Sequence, residues 1–217
     1  MKKLILAFSI AAFTLTGYSQ GLKPVKIDSL VTVSMPGEFT KKDTLGQQIY
    51  SGSGLMGYMM VIRAQNPANN QPLKKENDLN NVFKEYIKKL QGQSSGDIMN
   101  ARDTTIGKLK AKVFALETND ENGQQVRNFA LIYTKDATYT FEYLYPTNRA
   151  ELIKDENKAY FGSIKISPEL ERTDQYISTA SSGVSGTGKI AIYGGGSLVL
   201  LMIGYFIYRK KTETAMS

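Results

Sequence analysis

Cysteine, histidine and tryptophan are all missing from this 217-residue chain. Without cysteine the chain has no disulfide, zinc–thiolate site, iron–sulfur cluster or thiol nucleophile. Without histidine it has no imidazole for a Ser-His-Asp triad and lacks the commonest ligand of transition metals. The composition therefore predicts a protein that is not an enzyme, with no catalytic, cofactor-binding or metal-binding residues.

The net charge of +7 is concentrated at the two ends of the chain. Six of the 27 Lys and Arg residues flank two apolar segments, which leaves 21 in residues 20–188 against 19 Asp and Glu. A nucleic-acid-binding protein concentrates its basic side chains on one face. The sequence therefore predicts no nucleic-acid partner.

The first 19 residues have the pattern of a secretory signal peptide. Lys2 and Lys3 precede an apolar run over residues 4–15, and Gly17 and Ser19 place small residues at the cleavage site. As a helix the apolar run would rise only ~18 Å, which is short of the ~30 Å bilayer core. The pattern predicts cleavage after Ser19 and an extracytoplasmic location for the residues that follow.

A second apolar segment, residues 190–208, contains no charged residue. As a helix it would reach ~28 Å, enough to span a bilayer. Three basic residues follow it at positions 209–211, and the positive-inside rule places them in the cytoplasm. We predict a transmembrane helix over residues 189–209 and a cytoplasmic tail over 210–217. The chain would then be a single-pass protein of a bacterial cytoplasmic membrane, with its N-terminal domain outside.

Between the two apolar segments, residues 20–172 have the pattern of one α+β domain. Apolar side chains recur at helical spacing over residues 76–91, which predicts an amphipathic helix. Strand patterns joined by tight turns follow, and a second helix is predicted over residues 149–161. Segregated runs of this kind predict one antiparallel sheet flanked by helices.

Residues 173–188 are rich in Ser, Thr and Gly, which predicts a flexible tether between the domain and the membrane. Residues 183–189 match G-x-x-x-x-G-K, the first part of a P-loop. The next residue is Ile190, where a P-loop has the Ser or Thr that holds magnesium, and no strand pattern precedes the match. We therefore expect no nucleotide partner.

One predicted strand, residues 138–145, places four aromatic side chains on a single face: Tyr139, Phe141, Tyr143 and Tyr145. Such a face is typical of a core beneath a helix, with the hydroxyls at its wet edge. It is also suited to lining a groove for a small apolar or lipid-like ligand, so these four are the candidate ligand-binding residues. Glu142 alternates onto the opposite face, where we expect it to be exposed.

The order of elements resembles a known family. An extended VSMPGEF segment, the long amphipathic helix, the hairpins of GQQVRNFALIYTKDATYTFEYLYP and a closing helix with FGSIKIS resemble the PsbP-like fold, which bacterial DcrB-type lipoproteins share. The resemblance covers roughly residues 28–168. It implies an antiparallel sheet flanked by helices and non-catalytic roles as accessory subunits, assembly factors or envelope proteins. It transfers no functional residue, because the metal sites of PsbP proteins use histidine and the DcrB-type lipid anchor uses cysteine.

These patterns together predict a non-enzymatic, membrane-anchored envelope protein. Its extracytoplasmic domain would act as an accessory or interaction module, with another envelope protein as its partner. The alternative is a binding domain for a small apolar or lipid-like ligand. An enzyme that relies on carboxylates or tyrosines alone is a third hypothesis, and it would need three ionisable groups that converge in one cleft.

Overall fold

The structure is a computed structural model, and it describes residues 21–67, 73–120 and 123–178. The predicted signal peptide over residues 1–19, the membrane helix over 189–209 and the tail over 210–217 lie outside these ranges. Among the helices of the described residues, none combines the length and the apolar character needed to cross a bilayer.

Strands and helices of the described residues follow the predicted order. They are β1 (Lys23–Lys26), β2 (Val31–Met35), β3 (Phe39–Thr44), β4 (Gln47–Ser53), β5 (Tyr58–Gln65), α1 (Glu76–Ser94), β6 (Asp97–Ile106), β7 (Leu109–Asp120), β8 (Gly123–Tyr133), β9 (Ala137–Pro146), α2 (Lys154–Gly162) and β10 (Lys165–Ile166). The α+β class and both predicted helices are confirmed. The second helix begins later than residue 149, because Thr147–Arg149 forms a separate 3-10 turn.

Most of the strands form one antiparallel sheet in the order β3-β4-β5-β9-β8-β7-β6. The hairpins from β6 to β9 are sequential, as the tight turns predict, and β9 then pairs with β5 to join the two halves of the sheet. A smaller antiparallel sheet has the order β1-β2-β10. The described strands therefore bring the first and last parts of the domain together in the small sheet.

Helix α1 has clear signals at both ends. The Asp78 carboxylate accepts hydrogen bonds from the backbone N–H groups of Lys74 and Lys75 at 3.2 and 3.0 Å, which closes the first turn as in a capping box. The helix ends at Ser95, whose φ of 49° is left-handed. Its apolar stripe buries Leu79, Val82, Phe83, Tyr86 and Leu90.

Each face of the large sheet is covered by its own layer. Helix α1 packs on the face that carries Phe114 and Leu116 of β7 and Phe129 and Leu131 of β8. The opposite face carries the aromatic side chains of β9 and is covered by the small sheet and α2, through Val31, Val33, Met35 and Tyr160 among others. Because both faces are covered, successive residues of the central strands are buried whichever face they point to.

The segment after residue 172 packs against the domain, which corrects the predicted start of the tether at residue 173. The buried Gln175 side chain bonds the N–H and C=O of Lys110 at 2.8 Å each and the C=O of Tyr133 at 2.9 Å. Tyr176 is also buried and forms a parallel bridge with Leu73. Serine, threonine and glycine content predicted a tether here, but the Gln175 amide, the buried Tyr176 and backbone hydrogen bonds hold residues 173–178 against the domain.

The chain leaves the described domain at one end of the large sheet. The backbone N–H of Lys135, in the β8–β9 turn, bonds the carbonyl of Asp174 at 2.7 Å, and the N–H of Ile177 bonds the carbonyl of Leu73 at 3.0 Å. The β4–β5 connection lies at the other end, because the eight residues of β5 span ~25 Å between them. The end that leads toward the predicted anchor is therefore opposite to residues 54–57.

Candidate functional site

The four aromatic side chains of β9 lie in the core between the large sheet and its cover of α2 and the small sheet. Phe141 and Tyr143 have no exposed surface, and Tyr139 and Tyr145 are also buried. The ring of Tyr143 packs against that of Tyr160 with centroids 6.1 Å apart. The sequence correctly placed these residues on one face. A ligand-binding role for them stays a prediction.

The hydroxyl of Tyr139 bonds a carboxylate in the β1–β2 turn. It donates to Asp28 Oδ2 at 2.7 Å, and Arg63 Nε donates to the same oxygen at 2.7 Å. Asp28 Oδ1 accepts from the backbone N–H groups of Leu30 and Val31. Burial by itself would raise the pKa of Asp28, but these hydrogen bonds outweigh it and the pKa is lowered. This network fixes the small sheet to the large one.

The hydroxyl of Tyr143 bonds a second carboxylate, that of Glu156 in α2. It donates to Glu156 Oε2 at 2.7 Å, and burial together with this bond raises the pKa of Tyr143. Glu156 also accepts from the β4–β5 connection, at 2.7 Å from the N–H of Leu55 and 3.0 Å from the N–H of Met56. One carboxylate therefore joins the aromatic strand, α2 and this connection, which we call the 54–57 loop.

Two glycines allow the 54–57 loop to lie so close to its supports. A Cβ added at Gly57 would lie 2.5 Å from the ring of Tyr143, and one added at Gly54 would lie 2.1 Å from Glu156 Oε1. The N–H of Gly54 also donates to the carbonyl of Gly57 at 2.8 Å, which closes the loop on itself. The loop is therefore held by its own backbone and by buried or half-buried side chains.

The side chains at the tip of this loop point into solvent although their backbone is fixed. Leu55 is 63% exposed and Met56 is 37% exposed. Phe39, also partly exposed, begins the edge strand β3 and pairs with Gly52 just before the loop. The sequence does not reveal this site readily, because the largely apolar run over residues 55–64 has the pattern of one central strand, whereas β5 begins only at Tyr58. The Gly54–x–x–Gly57 spacing was the available signal.

Glu142 is buried, which contradicts the expectation that it is exposed. It is only 3% exposed, because α1 covers the sheet face to which it alternates. The Tyr86 hydroxyl of α1 lies 2.9 Å from Thr140 Oγ1, on the same strand face two residues away. Burial raises the pKa of Glu142 to about 7, and the nearby positive charge of Arg127 partly opposes this rise.

Acidic side chains are dispersed rather than clustered. In residues 21–67, 73–120 and 123–178, no three Asp or Glu side chains come together as a group that would hold a metal ion. Asp28, Glu142 and Glu156 occupy three separate surroundings, with different partners.

No protein-family model matches this chain, and no curated protein matches it. Solved structures that are similar include a protein of Bacteroides thetaiotaomicron, which is 12% identical with a TM-score of 0.42. That match covers 69% of this chain and 50% of the other, so this chain spans about half the length of that protein. Another is the cyanobacterial PsbP of Synechocystis, which is 14% identical with a TM-score of 0.47. It covers 70% of this chain and 95% of the other.

The second of these structures belongs to the family that the element order resembles. Because both TM-scores are below 0.5 and both identities are below 25%, the two likenesses say nothing about activity, ligands or partners. The α+β description given above comes from the strand order and the register of this chain itself.

Proposed function

We propose that this chain is a non-enzymatic, membrane-anchored interaction module of the bacterial envelope, and that the 54–57 loop is its contact surface. The observation that carries the proposal is the combination of exposed apolar side chains with a fixed backbone. Leu55 and Met56 are presented to solvent while Glu156 accepts a hydrogen bond from each of their N–H groups.

A loop of this construction suits protein binding for an energetic reason. Ordering a mobile loop on association costs roughly 0.5–1.5 kcal/mol for each immobilised side chain, and a loop already in its bound shape avoids part of that cost. Binding interfaces are also built around a central cluster of aromatic or aliphatic side chains that enter pockets of the partner. Leu55 and Met56 offer two such apolar side chains on a loop whose backbone is already held in place.

The position of the loop favours a protein partner over the bilayer. Residues 173–178 pack at the sheet end that carries the β8–β9 turn, so the predicted anchor would follow from that end. The 54–57 loop is at the opposite end of β5, ~25 Å away. If the anchor is as predicted, Leu55 and Met56 face away from the membrane and toward other envelope proteins.

The proposal is tested by crosslinking the full-length chain in cells and comparing the recovered partners. The loop variant carries Leu55→Ser and Met56→Ser. Its matched control is Leu45→Ser, which changes an exposed leucine in the β3–β4 turn, at the other end of the sheet. We expect a partner that the wild type and the Leu45→Ser control both recover and the loop variant does not.

Two results would count against this function. Equal recovery of every partner by the loop variant would show that the loop is not the contact surface. Recovery of the bait alone, under conditions in which a known membrane complex survives, would favour the ligand-binding alternative. Native mass spectrometry of the protein would then be the next step, because a bound small apolar molecule would be visible as added mass.

A further inference from the structure

The sheet face beneath α1 contains three buried polar side chains in a diagonal row, Glu142, Arg127 and Thr118, which are not part of the proposed contact surface. We call this row the diagonal. Glu142 of β9 lies directly opposite Phe129 of β8, and Arg127 lies two residues before Phe129 on the same face. Arg127 in turn lies opposite Leu116 of β7, with Thr118 next along that face. All three polar residues of this diagonal are buried.

Some polar atoms of the diagonal have no hydrogen-bond partner among the described residues, and two of them matter here. They are Glu142 Oε1 and Thr118 Oγ1, each without exposed surface. A buried carboxylate oxygen without a donor is costly when the group is charged, since it has lost its hydration without replacement. The neutral acid avoids most of that cost, which agrees with a raised pKa for Glu142.

The ionisable groups around Glu142 come from every element that packs on it. Arg127 of β8 carries the positive charge that partly opposes the rise in the pKa of Glu142 caused by burial. Burial raises the pKa values of Tyr86 in α1 and Tyr160 in α2, and the negative charge of Glu142 adds to both rises. On β5 its opposite neighbour is the uncharged Met60, followed on that face by Tyr58. Helix α1 also carries Lys89, half-buried, three residues after Tyr86.

The diagonal leads to the connection between α1 and β6. A Cβ added at Gly96 would lie 2.8 Å from Cγ2 of Thr118, so this connection runs directly over the end of the diagonal. The other side of the sheet offers no comparable route, because the apolar side chains of β9, α2 and the small sheet fill it. Water would therefore reach an ionised Glu142 most directly through displacement of the C-terminal half of α1.

We propose that Glu142 is a pH-responsive element whose ionisation loosens the packing of α1 on the sheet. With Glu142 protonated, its buried carboxyl group carries no charge, and the helix packs over it without a need for water. When pH rises and the proton leaves, the charge favours conformations in which α1 moves away and water enters. The direction of this pH dependence follows because the pKa of Glu142 is higher in the folded chain than in the unfolded chain. The packing of α1 is strongest below the pKa of the unfolded chain, and it weakens as pH rises through the pKa of the folded chain.

The test is hydrogen exchange of the full chain in detergent micelles between pH 5 and pH 8.5, after correction for the intrinsic exchange rate at each pH. In the wild type, we expect protection of the α1 amides to fall roughly 100-fold relative to Glu142→Gln, since a rise in the pKa of Glu142 to about 7 changes the opening equilibrium by that order. Amides of β2, on the opposite face, should fall much less. A matched control, Glu38→Gln, changes an exposed carboxylate and should behave as the wild type.

The proposal also makes a prediction that needs no variant. The carboxyl carbon of Glu142, followed by NMR in the wild type, should titrate well above the ordinary glutamate range. Titration in that ordinary range would overturn the proposal, as would the same pH dependence of α1 protection in Glu142→Gln and the wild type. An equal loss of protection in α1 and β2 would also overturn it, because ionisation would then destabilise the whole domain.

Discussion

The contribution of Glu156 to the 54–57 loop is measurable by a double-mutant cycle with Tyr143. Glu156→Ala removes the acceptor for three donors, namely the hydroxyl of Tyr143 and the N–H groups of Leu55 and Met56. Tyr143→Phe removes one of those donors and leaves the aromatic ring in the core. The two changes together isolate the hydroxyl–carboxylate pair from the rest of the loop.

The magnitudes follow from the burial and charge of each group. A hydrogen bond to a charged acceptor contributes about 1.5–3 kcal/mol when buried, and less where water competes. Glu156 is half-buried, so we expect Glu156→Ala to lower the free energy of unfolding by ~2–4 kcal/mol and Tyr143→Phe by ~1–2 kcal/mol. In the Glu156→Ala background the buried hydroxyl has lost its acceptor, and its removal should cost almost nothing. The coupling free energy should then be ~1–2 kcal/mol.

Urea denaturation of the full chain in a mild detergent, followed by the near-ultraviolet circular dichroism of the tyrosines, gives the four free energies of unfolding. Single and double variants with additive effects, to within ~0.3 kcal/mol, would refute the reasoning. Additivity of that kind would mean that Tyr143 and Glu156 do not hold the loop together in solution.

Three further perturbations test other parts of the account. Gly57→Ala should lower the free energy of unfolding by ~1–3 kcal/mol, because the new Cβ would lie 2.5 Å from the Tyr143 ring. Its control, Gly92→Ala, lies in an open part of α1 and should be neutral or stabilising by up to ~1 kcal/mol. Equal effects of the two substitutions in urea denaturation would contradict the packing of the loop on Tyr143. Asp28→Asn should lower the free energy of unfolding at pH 7, and its difference from the wild type should shrink as pH falls below about 4. The reason is that the pKa of Asp28 is lower in the folded chain, so its carboxylate stabilises the fold above the pKa of the unfolded chain, and this stability is lost as pH falls through the folded pKa. A difference that stays constant with pH would contradict the ion pair with Arg63. Gln175→Ala removes an amide that bonds Lys110 and Tyr133, and it should release residues 172–178 to limited proteolysis; unchanged resistance would show that other contacts hold the segment.

Much of the fold was predictable because it follows from periodicity. The stripe that runs from Leu79 to Leu90 predicted α1, and the alternation of Tyr139, Phe141 and Tyr143 predicted which face of β9 they share. These signals are local, since each depends only on the spacing of apolar side chains along one element. The tight turns likewise predicted the sequential hairpins.

The errors arose where tertiary contacts decide the outcome. Glu142 was expected in solvent because its alternation opposes the aromatic face, but α1 covers that second face and buries it. Gln175 was assigned to a tether, although its amide replaces missing sheet partners at Lys110 and Tyr133. Glu156 and the 54–57 loop that it supports are separated by about a hundred residues in the sequence, so no local sequence pattern predicts their contact.

The central claim is that the 54–57 loop contacts a protein partner, and site-specific photocrosslinking tests it most directly. In one variant of the full-length chain, expressed in native membranes, a photoreactive side chain replaces Leu55. In a second variant of the same chain it replaces Leu45, which is 78% exposed at the opposite end of the sheet. The account predicts one discrete crosslinked adduct from position 55 and none of that mass from position 45. No adduct from position 55, or the same adducts from both positions, would contradict it.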